Sequence, residues 1–185
     1  MTTSPDSPTA DSVRLALPGE AEAIAHLQRR AWMESLPAVA AAELAALPID
    51  QVVDAWTQAI TRPPRASYRV LVAVEQRRVV GLATTVPSDD PDADVDGDGR
   101  IDEFAIDPAA RRRGHGSRLL HACVDTLRAD GFRRATWWVA STDDVLRGFL
   151  LDAGWAADGA RREIGTEDDS LRMKQIRLHT DITSG

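Results

Sequence analysis

The spacing of hydrophobic and polar residues changes within the first third of the chain. Residues 12–17 alternate apolar with polar side chains and stop at Pro18-Gly19, which predicts a short first strand. After this point apolar residues recur every three to four positions, as on the buried face of an amphipathic helix. The pattern predicts three helical segments, at about 20–34, 38–47 and 50–60.

β-branched runs follow these helices. "YRVLVAVE" and "RVVGLATTVP" are separated only by Gln76-Arg77, which predicts a hairpin of strands two and three. The next apolar run, "RIDEFAI", predicts strand four, which Pro108 ends. A helix is then predicted after the glycines at 114 and 116, because Leu120 and its neighbours again recur at helical spacing.

Between strands three and four lies "DADVDGDGRIDE", residues 92–103, which has the spacing of an EF-hand calcium loop. An EF-hand needs a helix before and after its loop, whereas a strand is predicted on each side here. We therefore predict an exposed turn, whose six aspartates between 89 and 98 stay solvated and repel one another. A calcium site in this turn is the alternative.

A basic glycine loop joins strand four to its helix in "FAIDPAARRRGHGSRLL". Gly114 and Gly116 lack the side chains that would keep an anion from the backbone. The amides of residues 112–117 can therefore point at phosphate oxygens near the positive end of the helix dipole. The phosphate-loop NTPase motif is absent, and the dinucleotide fingerprint fails because Leu119 replaces its third glycine. The loop is predicted to bind a pyrophosphate in another way.

The motif Arg111-x-x-Gly114-x-Gly116 resembles the Gln/Arg-x-x-Gly-x-Gly/Ala signature of the GNAT superfamily of acyl-CoA-dependent N-acyltransferases. Further along, "RRATWWVASTDDVLRGFLLDAGW" looks like the fifth strand and fourth helix of that family, ending in Gly154-Trp155. Two final strand candidates follow, "AADGARREIG" and "SLRMKQIRLH". The resemblance covers about residues 12–179 in the order and spacing of the family.

This resemblance implies an α/β (α+β) GNAT fold, with a mixed, mostly antiparallel sheet of about seven strands flanked by about four helices. Strands four and five would splay apart to admit the pantetheine arm of acetyl-CoA. The activity implied is transfer of an acetyl group from acetyl-CoA to a primary amine of a small molecule or peptide, with no metal required. The residues expected to bind acetyl-CoA are Phe104, Ala105, Ile106, Arg111, Arg112, Arg113, Gly114, His115, Gly116, Ser117, Asp143 and Phe149.

The catalytic candidates follow from the acceptor's chemistry. An alkyl amine has a pKa near 10.4 and must lose a proton to a carboxylate, or to a water held by one, before it attacks. Strand four offers Asp102 and Glu103, predicted on opposite faces because side chains alternate. Many relatives carry a tyrosine that protonates the leaving thiolate, but Leu150 occupies its position here. Ser141 or Tyr68 is the candidate substitute.

Composition limits the remaining function classes. A length of 185 residues with 43% hydrophobic content suits one domain, predicted at 12–180 after a disordered tail at 1–11. The formal charge of −7 disfavours binding to nucleic acid or to an anionic membrane. The start of the chain has no leader-like pattern, so a cytoplasmic location is expected. The single cysteine, Cys123, is predicted to be a buried thiol.

Three functions compete at this stage. They are an N-acetyltransferase, a non-catalytic acyl-CoA-binding sensor suggested by the missing tyrosine, and a calcium-stabilised domain. The adjacent Trp137 and Trp138 must point to opposite faces of strand five, so at most one lines the acceptor cleft. His115 is predicted to project outward from the glycine loop. The resemblance also leaves a homodimer open.

Overall fold

Seven strands form one sheet in this computed structural model, which describes residues 11–36, 38–166 and 172–183. They are β1 (Ser12–Leu15), β2 (Arg69–Glu75), β3 (Arg78–Pro87), β4 (Asp98–Ile106), β5 (Arg134–Ala140), β6 (Ala156–Gly165) and β7 (Arg172–Asp181). Their order across the sheet is β1-β2-β3-β4-β5-β7-β6. β4 and β5 are parallel, and the other neighbouring pairs within the described ranges are antiparallel. The predicted mixed, mostly antiparallel α/β fold is confirmed.

The helices of the described residues cover both faces of the sheet. They are α1 (Ala21–Ser35), α2 (Ala38–Ala46), α3 (Ile49–Thr61), α4 (His115–Ala129) and α5 (Asp144–Asp152). One face packs against α4 and α5 around Leu119, Trp137 and Leu150, and the other packs against α1 and α3. Because both faces are covered, β2 is apolar nearly throughout rather than alternating. Each fully buried leucine or isoleucine stabilises such a core by about 1.5–3 kcal/mol.

The β2–β3 turn confirms the predicted hairpin. Gln76 and Arg77 both have positive φ, at 48° and 67°. Two consecutive left-handed residues form the turn whose twist matches that of antiparallel strands. The predicted thiol is also buried, because Cys123 is fully inaccessible on α4. This burial raises the pKa of the Cys123 thiol to about 12.

β4 and β5 pair over a short distance only. Their register ends at Ile101 opposite Trp137, whereas β5 continues beside β7 as far as Ala140. β4 likewise continues beside β3 as far as Ile106. The two parallel strands therefore part after Ile101, and the gap opens toward their carboxyl ends.

A β-bulge lies at the start of this gap. On β3, Ala83 pairs with Phe104 and Thr85 pairs with Ile101, so two steps on β3 match three on β4. Ile101 and Phe104 both pack with the α4 core, which strict alternation would not allow. Asp102 and Glu103 lie between them, and each is next to a residue whose side chain faces α4. The side chains of Asp102 and Glu103 therefore both point to the opposite face of the sheet. The prediction that Asp102 and Glu103 lie on opposite faces is therefore wrong.

Arginines neutralise most of the charge of the acidic loop between β3 and β4, so the prediction that its aspartates repel one another is wrong. Four of the six aspartates are exposed, as predicted for the turn: Asp89, Asp92, Asp94 and Asp96. Arg177 of β7 is buried, and its guanidinium contacts Asp92 at 2.6 Å and Asp90 at 3.2 Å. Five of the six carboxylates have an arginine partner. Strands flank the loop, in agreement with the predicted turn. The pairs are Asp89–Arg100, Asp90–Arg177, Asp92–Arg177, Asp94–Arg133 and Asp98–Arg134.

The predicted boundaries differ from the structure mainly at chain ends and at β4. β4 begins at Asp98 rather than Arg100, because its first residues pair with β5. The first ten residues of the predicted tail at 1–11, and residues 170 and 171 of the last predicted strand, lie outside the described residues. Asp11 is described and contacts Arg118 of α4 at 3.4 Å. None of the helices in the described ranges has the length and hydropathy needed to span a membrane.

Candidate active site

The glycine loop lies at the open end of the gap between β4 and β5. Arg112 and Gly114 both adopt left-handed backbone conformations, with φ of 60° and 81°. The chain can therefore reverse within a few residues and begin α4 at His115, with Gly114 as an N-cap that has no side-chain hydrogen bond. Helix N-termini carry several amides without intrahelical partners, together with partial positive charge. These amides and Ser117, exposed in the first turn of α4, suit an anionic group.

Gly116 forms the floor of the gap. A Cβ atom built there would lie 3.9 Å from Cγ1 of Ile106 and 4.0 Å from Cζ of Phe149. The end of β4, the start of α4 and the middle of α5 therefore meet at this glycine. On the α4 side, Phe104 packs against Trp137 at a ring-centroid distance of 4.9 Å. Ala105 is buried on the α1 side.

The three consecutive arginines differ in their partners. Arg111 contacts Glu34 of α1 at 3.1 Å, and Arg113 contacts Glu75 of β2 at 2.8 Å. Arg112 is exposed and forms no ion pair with the described part of the chain. Two arginines thus join the loop to neighbouring elements, while Arg112 leaves its charge available to a ligand.

His115 is buried, so the prediction that it projects outward is wrong. Its Nε2 lies 3.2 Å from Glu75, and its Nδ1 lies 3.0 Å from a guanidinium nitrogen of Arg118. Asp11 completes a group of three potential metal ligands within 4.8 Å of one another, but Arg113 and Arg118 already balance its charge. His115 can offer the loop its backbone amide, while its side chain packs beneath.

Glu103 faces α1 from the narrow end of the gap. Its carboxylate is half-buried, and this loss of solvation raises its pKa. Hydrogen bonding from Gln28 and Trp32 of α1 lowers the same pKa by a smaller amount. Trp56 of α3 donates its Nε1 hydrogen to Oε1 of Gln28 at 3.0 Å, which fixes that amide. The result is a carboxylate beside two neutral donors, one of them fixed by Trp56, and more basic than an ordinary glutamate.

Asp102 has different surroundings on the same face. Its side chain is 56% exposed and contacts Arg100 at 3.1 Å. The bulge also redirects the backbone, since the Glu103 amide donates to Oγ1 of Thr84 rather than to a β3 carbonyl. Desolvation and the contact with α1 distinguish Glu103 as the better candidate base.

The remaining predicted site residues lie on β5 and α5. Ser141 is just beyond β5, where its amide donates to the carbonyl of Lys174 at 2.8 Å. It therefore lies at the wide end of the gap, away from Glu103. Asp143 caps α5 by accepting from the amide of Leu146 at 2.9 Å. Leu150 is fully buried, and Tyr68 precedes β2, which β3 separates from β4.

The side chains of the two adjacent tryptophans point to opposite faces of the sheet, as the alternation of side chains along a strand requires. Trp137 packs in the α4 and α5 core, while Trp138 faces the Glu103 side and donates its Nε1 hydrogen to Asp90 at 2.9 Å. Gln28 and Arg162 were missed by the sequence reasoning. Gln28 lies on the buried face of α1, and a buried amide in a helix is a usable signal of a polar partner.

The arrangement is a parted parallel strand pair, a glycine loop at the opening and a desolvated carboxylate at the narrow end. The fold and site together define an acyltransferase architecture. The Acetyltransferase (GNAT) family profile matches residues 22–155, well over half of the chain. The chain belongs to this family.

Solved structures agree on the fold. An N-acetyltransferase from Staphylococcus aureus Mu50 is 17% identical, with 95% of this chain and 100% of that chain covered and a TM-score of 0.74. yncA from Salmonella typhimurium, solved with its cofactor acetyl-CoA, is 18% identical over 96% of each chain, with a TM-score of 0.73. The ribosomal-protein-S18-alanine N-acetyltransferase from Escherichia coli is 16% identical over 95% of this chain and 96% of that one, with a TM-score of 0.66. A search of curated proteins by sequence finds no match.

Proposed function

We propose that the protein transfers an acetyl group from acetyl-CoA to a primary amine of a small molecule or peptide, with Glu103 as the general base. One observation carries this proposal. Glu103 lies two residues beyond the last β4–β5 pair, its pKa is raised by desolvation, and it forms no ion pair with the described residues. It is a base without a fixed cation, directed at the place where a thioester and an amine would meet.

The acetyl-CoA site would use the parted strands and the loop. The edge of β4 at Phe104, Ala105 and Ile106 offers backbone groups to the pantetheine arm, in the manner of an added strand. The amides at 112–117 and the side chain of Arg112 would hold the pyrophosphate. The fit is supported by Gly116, where even a methyl group would reach contact distance of Ile106 and Phe149. When bound, acetyl-CoA supplies the activated acetyl group.

The role of Glu103 follows from proton affinities. An alkylammonium ion with a pKa near 10.4 must give up a proton before nitrogen can attack the thioester carbonyl. A carboxylate with a raised pKa accepts this proton more readily than an ordinary glutamate, either directly or through one water. Gln28 and Trp32 of α1 lie beside this carboxylate as neutral donors and leave it without a cation at the start of the gap.

Among the described residues, none is placed to protonate the departing thiolate. Leu150 takes the place of the family tyrosine and is fully buried in the α5 core. A thiolate is a stable enough leaving group for the step to proceed without a donor, since a free thiol has a pKa near 8.5. Because of Leu150, a non-catalytic acyl-CoA sensor is the second candidate function.

The proposal is tested first by calorimetric titration with acetyl-CoA. We expect a dissociation constant on the order of micromolar for the native protein. Gly116→Asp should weaken binding by more than about tenfold, since it places a carboxylate at the helix N-terminus that the phosphates need. Gly19→Asp is the matched control, because nothing lies within 4 Å of a Cβ at that glycine. Equal affinity of native protein and Gly116→Asp would contradict the site.

An amine screen then separates the two functions. Free thiol released from acetyl-CoA is measured with a panel of small amines and short peptides. Turnover that depends on Glu103 supports the transferase. Tight binding of acetyl-CoA with no turnover by any member of the panel would favour the sensor instead.

A further inference from the structure

The sheet face that carries Glu103 is crowded with charged side chains, and nearly all of them are paired. Arg134 contacts Asp158 at 2.7 Å and Asp98 at 3.4 Å. The guanidinium of Arg177 reaches three carboxylates, and Arg100 is paired with Asp89 and Asp102. These internal pairs leave the carboxylates of the acidic loop little capacity to attract a cationic acceptor.

Away from the gap, Asp181 lies opposite Arg134 at the end of β7 and has no ion pair with the described residues. Beside the gap, two charged residues of β4 to β7 on this face likewise have no oppositely charged partner in the described chain. One is Glu103, whose neighbours are Gln28 and Trp32. The other is Arg162 of β6, whose Nε donates to Oε1 of Gln175 at 2.7 Å. One is an anion and the other a cation.

Arg162 is held over Trp138, at the β5 edge of the gap, rather than projecting freely. Its guanidinium lies 4.4 Å from the ring centroid of Trp138. Trp137 forms the last pair with β4, so Trp138 is the first β5 residue beyond the point where the strands part, across from Asp102 and Glu103. A guanidinium stacked on an aromatic ring is fixed in direction and keeps hydrogen-bond donors for a planar anion.

The surroundings of Arg162 favour an added anion. Partial loss of solvation lowers the pKa of its guanidinium, the charge of Arg100 acts in the same direction, and together they outweigh the opposing effect of Asp90, Asp89 and Asp102. Those three carboxylates already have arginine partners. Arg162 is exposed on β6 and has no carboxylate of its own among the described residues, so it can bind an anion supplied by a ligand.

We propose that the amine acceptor is a small amino acid or a close analogue, whose carboxylate binds Arg162 and whose ammonium group faces Glu103. This inference rests on the proposed function, because it identifies the acceptor of the same site. A zwitterion complements the unpaired anion and the unpaired cation that lie beside the gap. A simple amine would leave Arg162 uncompensated.

The test compares acceptors that differ only in the carboxylate. Free amino acids and their carboxamides are assayed in pairs with acetyl-CoA, and the released thiol gives kcat and KM. We expect kcat/KM for the best amino acid to exceed that for its carboxamide by about tenfold or more, the usual effect of a charge-assisted hydrogen bond. The carboxamides also mimic a peptide acceptor, which has no carboxylate beside its amine.

Matched variants locate the effect at one residue. Arg162→Gln should raise KM for the amino acid by about tenfold or more and reduce its advantage over the carboxamide to less than about threefold. Arg161→Gln makes the same change at the neighbouring position, which points to the other face of β6, and should retain the preference. Arg162→Lys keeps the charge but loses the planar guanidinium group. Its preference for the amino acid over the carboxamide should therefore fall between those of Arg162→Gln and Arg161→Gln.

The outcomes separate this inference from the proposed function. If amino acids and carboxamides are acetylated equally, or if Arg162→Gln retains the preference, the carboxylate assignment is wrong while the transferase stands. If no amine is acetylated although acetyl-CoA binds, the proposed function fails and this inference falls with it.

Discussion

The acidic loop at 89–98 and the stretch of β4 around Glu103 use carboxylates in opposite ways. In the loop, arginines of β4, β5 and β7 neutralise most of the aspartates, and the charge holds the β3–β4 connection against the sheet. At Glu103, a single carboxylate is desolvated and contacted only by neutral donors. The density of acidic residues therefore marks a structural region, and the carboxylate without a cation is the one that we propose to be reactive. Whether a charge is paired matters more than how many charges are present.

The largest expected effect is on catalysis at Glu103. Glu103→Gln should lower kcat by about 10²–10⁴ because it removes the proton acceptor, while acetyl-CoA affinity stays the same. Asp102→Asn is the matched control on the same face and should change kcat by less than about threefold, since its carboxylate is exposed and paired with Arg100. Thiol release and calorimetry measure the two quantities. A larger loss of kcat in Asp102→Asn than in Glu103→Gln would mean that Asp102, and not Glu103, is the general base.

The next effect concerns the stability of the acidic region. Arg177→Met should lower the free energy of unfolding by about 3–5 kcal/mol, because it leaves Asp90 buried without a cation and removes one of the two arginines that contact Asp158. Arg133→Met removes the exposed pair with Asp94 and should cost less than about 1 kcal/mol. Urea unfolding gives both values. Similar losses for the two variants would mean that burial of Arg177 contributes little.

A smaller effect separates stability from activity at Glu103. Its pKa is raised by folding, so the folded state is favoured while the carboxyl is protonated and loses stability as pH rises through the folded pKa. Glu103→Gln should therefore melt at a higher temperature than native protein at neutral pH. The difference should shrink as pH falls below the ordinary glutamate range near 4.3. A lower melting temperature for the variant at neutral pH would contradict the desolvation of this group.

The smallest effect concerns Asp92 in the acidic loop, whose pKa shift has the opposite sign to that of Glu103. Arg177 lowers the pKa of Asp92 to about 2. A depressed carboxyl pKa stabilises the fold above the ordinary aspartate value near 3.9, and that contribution is lost as pH falls toward 2. Melting temperatures measured between pH 5 and pH 2 should fall less steeply in Asp92→Asn than in native protein. Parallel curves would show that this pair does not contribute to acid unfolding.

Local patterns were sufficient for most of the framework. The β2–β3 hairpin followed from two β-branched runs around Gln76-Arg77, and β3 was predicted with its observed limits. The glycine loop and the start of α4 were predicted from Gly114 and Gly116, because positive φ and close backbone approach favour glycine at particular positions. Turn chemistry and periodicity depend on residues that are neighbours in the chain.

The errors share one cause. The bulge that brings Asp102 and Glu103 to one face depends on the register against β3, and the pairing of the aspartates depends on Arg177, some 85 residues away from them in the chain. His115 is buried because Glu75 and Arg118 surround it. A local sequence pattern carries no information about partners that are distant in the chain.

The sequence alone determined the family resemblance, the order of strands and helices, and the position of the glycine loop, because these follow from short-range spacing. The tertiary structure decided which carboxylate is desolvated and which of the described arginines are neutralised, as Arg177 is and Arg112 and Arg162 are not. Solvation and charge pairing depend on all the atoms that surround a group. Residues distant in the chain supply those atoms once the sheet has formed.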